Sequence, residues 1–423
     1  MTRLRWTLLI AVLLTLGGTG SAWAQKYLLV PMDLTQNNHL RAYGHAFHTL
    51  QAGDKVNWLL NYRGGSFLLD DTQRARLDAR LLGVRFEEVG EADVAAIRQV
   101  VQQENMDEVL LETPPRIAVY SPPSKQPWDD AVTLALTYAE VPYDVIYDED
   151  IMAGRLGDYD WLHLHHEDFS GQYGKFYASF GYEPWYLEQK HQSEEMADRL
   201  GFDTVWELKH AVAQTIQQYV DQGGFLFAMC SATDTIEIAL AWLQTDIVSE
   251  PFDNTPYDLG YRNKVDFEQT FGLRDFKLVT NPMMYEFSDI DSSNYAQMRG
   301  AEADYFTLFA FAAKYDPVPA MLTQNHVNVI NGFLGQTTGY FKKHLKRSVI
   351  VLAAVEGTDE VKYIHGKRGM GTWTFLGGHD PEDYQHRVGD PPTDLDLYPT
   401  SPGYRLILNN VLFPAAKKKP QKT

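Results

Sequence analysis

Residues 223–235 read Gly223-Gly-Phe-Leu-Phe-Ala-Met-Cys-Ser-Ala-Thr-Asp-Thr235. A Gly-Gly turn opens onto an apolar run, 225–229, of strand length, and a helical pattern starts at Thr235. Between them stands Cys230, the one cysteine in the sequence. Strand, cysteine, helix is the layout of a nucleophile elbow, which lifts a side chain above the C-terminal edge of a parallel sheet. Such a turn needs small residues two before and two after the nucleophile, and Ala228 and Ala232 stand there. The N-terminus of the next helix would lower a thiol pKa and favour an anion. The alternative reading of Cys230 is a buried, inert thiol, a common fate for a free cysteine.

Working outward, strands alternate with helices, which implies an α/β layer. Upstream, residues 116–120, 143–147 and 160–165 read as strands, with helices at 128–139 and 205–220. The third of these strands ends on His163-Leu-His165-His166-Glu167-Asp168. His163 and His165 share one face of the strand, and His166 begins the loop. In an open α/β sheet the ligand crevice lies beyond the C-terminal strand ends. Downstream, 348–354 and 361–365 read as a hairpin, Gly366-Lys-Arg-Gly-Met-Gly371 as a turn, and 372–376 as a strand ending on Gly377-Gly378-His379-Asp380-Pro381-Glu382-Asp383. A closing helix follows over 402–412.

A thiol needs a base to become a thiolate, and the base needs a group to orient it. His379 is the natural base for Cys230, with Glu382 or Asp380 as the orienting acid. His165, His166, Glu167 and Asp234 are expected to line the pocket.

These two motifs, Gly223 to Thr235 and Gly371-Thr-Trp-Thr-Phe-Leu-Gly-Gly-His-Asp-Pro-Glu382, resemble the trehalose-utilisation (ThuA-like) branch of the class I glutamine amidotransferase-like superfamily. The resemblance covers about residues 116–413 and implies a flavodoxin-like parallel sheet flanked by helices. Two features depart from the pattern. In true glutamine amidotransferases one residue separates the histidine from the glutamate, whereas two separate His379 from Glu382. Many trehalose-utilisation relatives also lack the cysteine. The chain further resembles exported bacterial proteins that carry the name asparagine synthetase B, but its residues do not fit that chemistry. Thr2, not cysteine, follows Met1, and there is no Ser-Gly-Gly-x-Asp-Ser loop; Arg63-Gly-Gly-Ser66 is not one.

A rival site uses a divalent transition metal. His163 and His165 end one strand, and His379, Asp383 and His386 follow another. Spacings of four and three would place the last three on one helix face, and imidazole with carboxylate suits zinc, iron or manganese. The cysteine reading needs no cofactor.

The rest of the chain sets the context. Residues 1–24 combine a basic start, a short apolar core and Ala22-Trp23-Ala24, which reads as a signal peptide; the expected protein is exported, periplasmic or secreted. No later stretch is long and apolar enough to span a bilayer. Residues 25–113 form an additional N-terminal α/β segment, whose strand, polar loop, helix, strand order suggests a distant copy of the second. Pro114-Pro115 marks the boundary, and 114–413 is the amidotransferase-like domain. Within it, residues 170–202 are an insertion rich in Tyr, Phe and Trp, either a packed element or a wall for a sugar or other flat ligand. Residues 414–423 read as a basic, disordered tail. A formal net charge of −19 argues against nucleic acid. The sequence therefore points to a cysteine-dependent hydrolase or transferase acting on a small polar or carbohydrate-related substrate. A non-catalytic carbohydrate or small-molecule binding protein and a metal-dependent hydrolase are the alternatives.

Overall fold

The computed structural model describes residues 25–124, 126–324 and 327–416. The signal-peptide reading, and the tail reading from 417 onward, lie outside the described residues. Residues 414–416 do not belong to a disordered tail: Ala415 is buried, and Ala416 forms a β-bridge to Leu111.

Strands β1 (Lys26–Val30), β2 (Val56–Leu60), β3 (Ser66–Asp70), β4 (Glu87–Gly90) and β5 (Asp107–Leu111) form one sheet in the order β4-β1-β3-β2-β5. Every pairing in it is antiparallel. Helices α1 (His39–Gln51) and α2 (Gln73–Leu81) cover one face, with α3 (Glu91–Gln103) on the other. The short run Phe67-Leu68-Leu69 is the middle strand. Phe67 and Leu69 face the α1 side while Leu68 packs with Val94, Ile97 and Val101 of α3. A strand covered on both faces shows no polar alternation, which hides it in the sequence.

The second sheet is ten-stranded and mixed. Its parallel part comprises β6 (Ile117–Tyr120), β7 (Asp144–Ile146), β8 (Trp161–Leu164), β9 (Phe225–Met229) and β15 (Gly371–Leu376), in the spatial order β7-β6-β8-β9-β15. Counted along the parallel strands this is 2-1-3-4-5, with a switch of direction between β6 and β8. The expectation of a parallel sheet needs one correction: antiparallel strands extend it beyond β15. These are β10 (Tyr305–Leu308), β11 (Val329–Asn331), β12 (Tyr340–Phe341), β13 (Ile350–Ala354) and β14 (Glu360–Arg368). The cause is local. Arg368 pairs with Gly371 across a two-residue turn in which Gly369 takes a φ of 55°, and such a hairpin can only be antiparallel. The first sheet is antiparallel where the second is parallel, so the two segments are not copies in topology.

Period-two alternation places β9 between two cores. Phe225, Phe227 and Met229 face α4 (Ala131–Tyr138) and the closing helix, while Leu226 and Ala228 face the opposite layer. The aromatic insertion folds around α5 (Pro184–Leu200), which packs on α6 (Val205–Asp221). Thr204 and Glu207 form a capping box at the start of α6. Cys230 leads into α7 (Ala232–Ala241), and α8 (Pro402–Leu412) closes the fold. Residues 379–386 are turns rather than the expected helix, and residues 276–279 form no strand beyond a bridge from Leu278 to Ser288.

One continuous core joins the two sheets through α1, α4 and α8. Buried Arg405 on α8 donates to Gly64 O and to Tyr43 Oη, 2.9 Å away, and Tyr43 Oη in turn donates to Asn409. Helices α1 and α4 meet where Gly44 lacks a side chain: a Cβ there would lie 1.9 Å from Ala139 O. Neither backbone can yield without moving its helix. Gly44→Ala is expected to lower stability by about 2 kcal/mol or more, the upper range for overpacked sites. Urea denaturation would check this, with an unchanged midpoint refuting the close approach.

Candidate metal centre

The C-terminal ends of β6, β8, β9 and β15 meet at one edge of the sheet. After β6 the chain loops through Trp128-Asp129-Asp130 into α4, where Asp130 Oδ1 caps the helix by accepting from Val132 N at 2.7 Å and Thr133 N at 3.0 Å. After β8 come His165, His166 and Glu167. Their loop is tied to α7 by Ala232 N donating to His165 O (3.1 Å) and Thr235 Oγ1 donating to Glu167 O (2.9 Å). Beyond β15, Gly378 O accepts from Cys230 N at 3.1 Å, and His379 N donates to Leu334 O at 2.8 Å. The β6 and β8 loops flank the switch of strand direction, where open α/β sheets place their ligands.

Five histidines and three carboxylates collect there. The His379 ring stacks on His386 with centroids 3.8 Å apart and meets His165 edge-on at 4.3 Å. His379 Nε2 donates to Asp129 O (3.0 Å), and His386 Nε2 lies 3.4 Å from Asp129 Oδ1. Three donor sets form: His165, His166 and His379; Asp129, His379 and His386; Asp130, His163 and His165. Within each set the donor atoms lie within 4.8 Å of one another.

The site is poor in hydrogen-bond partners. Both carboxylate oxygens of Asp129, Nε2 of His165, both ring nitrogens of His166, Oε1 of Glu167 and Nε2 of His386 are buried with no hydrogen-bond partner among the described residues. Each such orphan costs about 1–3 kcal/mol, and so many around one point signals a missing counterpart. Burial drives His166 and His379 well below the ordinary imidazole range, which keeps them neutral and able to coordinate. Burial raises the Asp129 carboxyl and pushes Glu167 up to about 7. For Asp130 burial acts in the same direction, but the His163 and His165 rings overcome it and hold that carboxyl well below its usual value. The residue types, all imidazole and carboxylate, suit zinc, iron or manganese.

An aromatic wall borders the donors. Trp128 meets the His166 ring edge-on at 5.2 Å and packs on Phe176 and Trp185 of the insertion at 5.2 and 5.4 Å. Of the insertion's other rings, Tyr173 and Tyr186 are buried packing, whereas Tyr177 and Tyr182 are exposed.

The remaining predicted residues fall elsewhere. Cys230 does occupy a strained turn, with a φ of 48°. Its thiol is 3% exposed and its Sγ accepts from Gln336 N at 3.3 Å. Burial pushes it up to about 11, against the pull of the Gln336, Ser231 and Thr337 N–H groups. The His379 ring is committed to the histidine cluster. Glu382 is raised by burial and hydrogen-bonded toward Ser401, and its N–H donates to Asp380 Oδ1 at 2.8 Å. Asp234 is fully buried and accepts from Ser288 Oγ at 2.9 Å. Asp383 lies 3.5 Å from His386 Nδ1, behind the ring, and belongs to none of the three donor sets. Asp129 and Asp130 do not stand out in the sequence, although a signal for them is present. An Asp-Asp pair between a strand and a helical run is both a helix cap and a loop on the strand-end side.

No family model and no curated protein matches this sequence. Among solved structures it is similar to a cytoplasmic protein from Salmonella typhimurium, at 11% identity and a TM-score of 0.34, covering 72% of this chain and 100% of that one. A second cytoplasmic protein, from Salmonella typhimurium LT2, gives 12% identity and a TM-score of 0.32, covering 71% of this chain and 100% of that one. A GH42 beta-galactosidase, Gan42B from G. stearothermophilus, gives 13% identity and a TM-score of 0.28, covering 63% of this chain and 28% of that one. Likeness of this order is too slight to carry an activity across. No helix of the described residues is long and apolar enough to cross a membrane.

The thiol environment has a direct consequence. A pKa raised from 9 to about 11 lowers the thiolate fraction near pH 8 by about a hundredfold. Native Cys230 is therefore expected to react with iodoacetamide at least a hundredfold more slowly at pH 8 than in denaturant, with intact mass as the readout. Rapid native labelling below pH 7 would show that the environment activates the thiol instead.

Proposed function

We propose that this protein is a divalent-metal-dependent hydrolase acting on a small polar or carbohydrate-related substrate. The observation that carries the reading is the convergence of buried, unpartnered donor atoms from Asp129, His165, His166 and His386 around His379. Asp129, His379 and His386, with His165 and His166 beside them, would hold the ion. The chemistry such an ion supplies is Lewis-acid activation of water or of a carbonyl. Glu167 stands next to His166, its Oε1 3.8 Å from His166 Nε2, and its pKa of about 7 suits proton exchange at neutral pH. Trp128 offers a flat apolar surface beside the donors, appropriate to a sugar ring.

The same reading takes the domain at 114–413 as flavodoxin-like and class I amidotransferase-like, with the N-terminal segment as a separate addition and the protein exported to the periplasm or beyond. The 2-1-3-4-5 order of the parallel strands, the positive φ at Cys230 and His379 at the end of β15 support that kinship. They also favour a second reading, in which Cys230 is a nucleophile cradled by backbone N–H groups and His379 its base.

The two readings part on one experiment. The metal reading expects the purified full-length protein to retain a transition metal, and a chelator to abolish hydrolysis across a panel of chromogenic esters, amides and glycosides, with Zn²⁺ or Mn²⁺ restoring it. Asp129→Ala and His379→Ala are expected to lose the bound ion and at least a hundredfold in kcat, while Cys230→Ala keeps both. Loss of activity in Cys230→Ala, with indifference to chelation, would decide for the cysteine.

A further inference from the structure

Behind the outer donors lies a second set, of which the proposed outer site uses only His165. His163 Nδ1 is 3.1 Å from Phe227 O, and a carbonyl only accepts, so the ring's N–H is at Nδ1. That leaves the Nε2 lone pair facing inward. It meets Asp130 Oδ2 at 3.3 Å and His165 Nδ1 at 3.3 Å, while Asp130 Oδ1 lies 3.4 Å from that same His165 nitrogen. A lone pair, a carboxylate and a second ring nitrogen thus point at one another. The single proton available, on His165 Nδ1, can serve only one of the two acceptors.

The spacing fits an ion better than a hydrogen-bonded triad. Ordinary N–H···O bonds cluster at about 2.9–3.0 Å. Donors bonded to one tetrahedral ion at about 2.0–2.1 Å are separated by about 3.3–3.4 Å, the edge of that tetrahedron. Two contacts, from His163 Nε2 to His165 Nδ1 and to Asp130 Oδ2, match that edge; the third, to His165 Nδ1, is made by the other Asp130 oxygen, Oδ1, which also caps the helix. His163 and His165 are fully buried, and the His163 ring is held between Trp161 and Phe227. Asp130 is fixed by its helix-capping bonds. The set is therefore rigid before any ligand arrives.

We propose a second, inner metal position held by Asp130, His163 Nε2 and His165 Nδ1, so that the centre takes two divalent transition ions. This rests on the outer site proposed above. His165 stands between the two: Nδ1 faces the inner set, and its unpartnered Nε2 faces His166 and His379. The inner ion, held by the fully buried His163 and His165, is structural. It fixes the orientation in which His165 presents Nε2 to the outer position.

Metal stoichiometry tests this without reference to activity. The full-length protein is stripped, reloaded with Zn²⁺, desalted and analysed for metal per chain; Co²⁺ titration followed by visible absorbance gives an independent count. Two ions per wild-type chain are expected, falling to one in His163→Leu and to one in His386→Ala. His163→Gln serves where the leucine variant fails to fold, and circular dichroism reports the fold of each. One ion per wild-type chain, kept in His163→Leu and lost in His386→Ala, would overturn the inner position and leave the outer one standing; a proton on His163 would then fill the gap. No ion in the wild-type protein would overturn both readings.

Discussion

Three hydrogen bonds at the end of β9 hold the site together. Cys230 N reaches across to Gly378 O, Ala232 N to His165 O, and Thr235 Oγ1 to Glu167 O. Parallel strands β8, β9 and β15 run side by side, so their side chains already share faces. The crosslinks do more: they stop the chain from diverging once the ladder ends. The strained φ at Cys230 is the geometric cost of turning from strand to helix within this lattice. Cys230 stands at the apex of this turn. A small, apolar side chain at the apex of the turn lets the loops of β8 and β15 close over it, and what they bring together is histidine.

The electrostatics follow from that closure. Imidazoles and carboxylates taken out of water without partners are unfavourable in isolation. Here burial makes His166 and His379 neutral while Asp130 stays ionised between His163 and His165. A protein that needed only stability would place apolar groups at these positions, as it does with Val119 and Phe227 on either side of His163 and with Trp161 before it on the same strand. The unpartnered donors gather at the edge where four strands end, and the proposed metal reading rests on that.

Much of this arrangement is legible in the amino-acid sequence. The apolar run before Cys230, the small residues around it, the histidine-loaded end of β8 and the glycine-led end of β15 all declare strand ends, and the fold brings those ends together. Other features are hidden, each for its own reason. β3 has too few residues and too uniform a burial to show a period. The hairpin turn at 366–371 is legible, but the pairing of β10 and β11 beyond β13 joins segments far apart in the sequence. The partnership of His379 does not follow from spacing, because sequence separation says nothing about which way a ring turns; His386 stacks on it from a turn, where the spacing predicts a helix. Asp129 and Asp130 escape notice because a capping aspartate looks the same whether or not it also faces a ligand.

The union of the two sheets through α8 bears on how the chain is made. β1, β3 and α1 are synthesised first, yet the core they share is completed by Arg405, Tyr404 and Leu408 near the other end, and β5 is bordered by Ala416. Loop closure over such a span slows folding far more than it weakens the final state. The first sheet must wait, with apolar surface uncovered, until the last helix arrives. Order of synthesis and order of consolidation are opposed in this molecule, and the interval between them is when it is most exposed to aggregation and proteolysis.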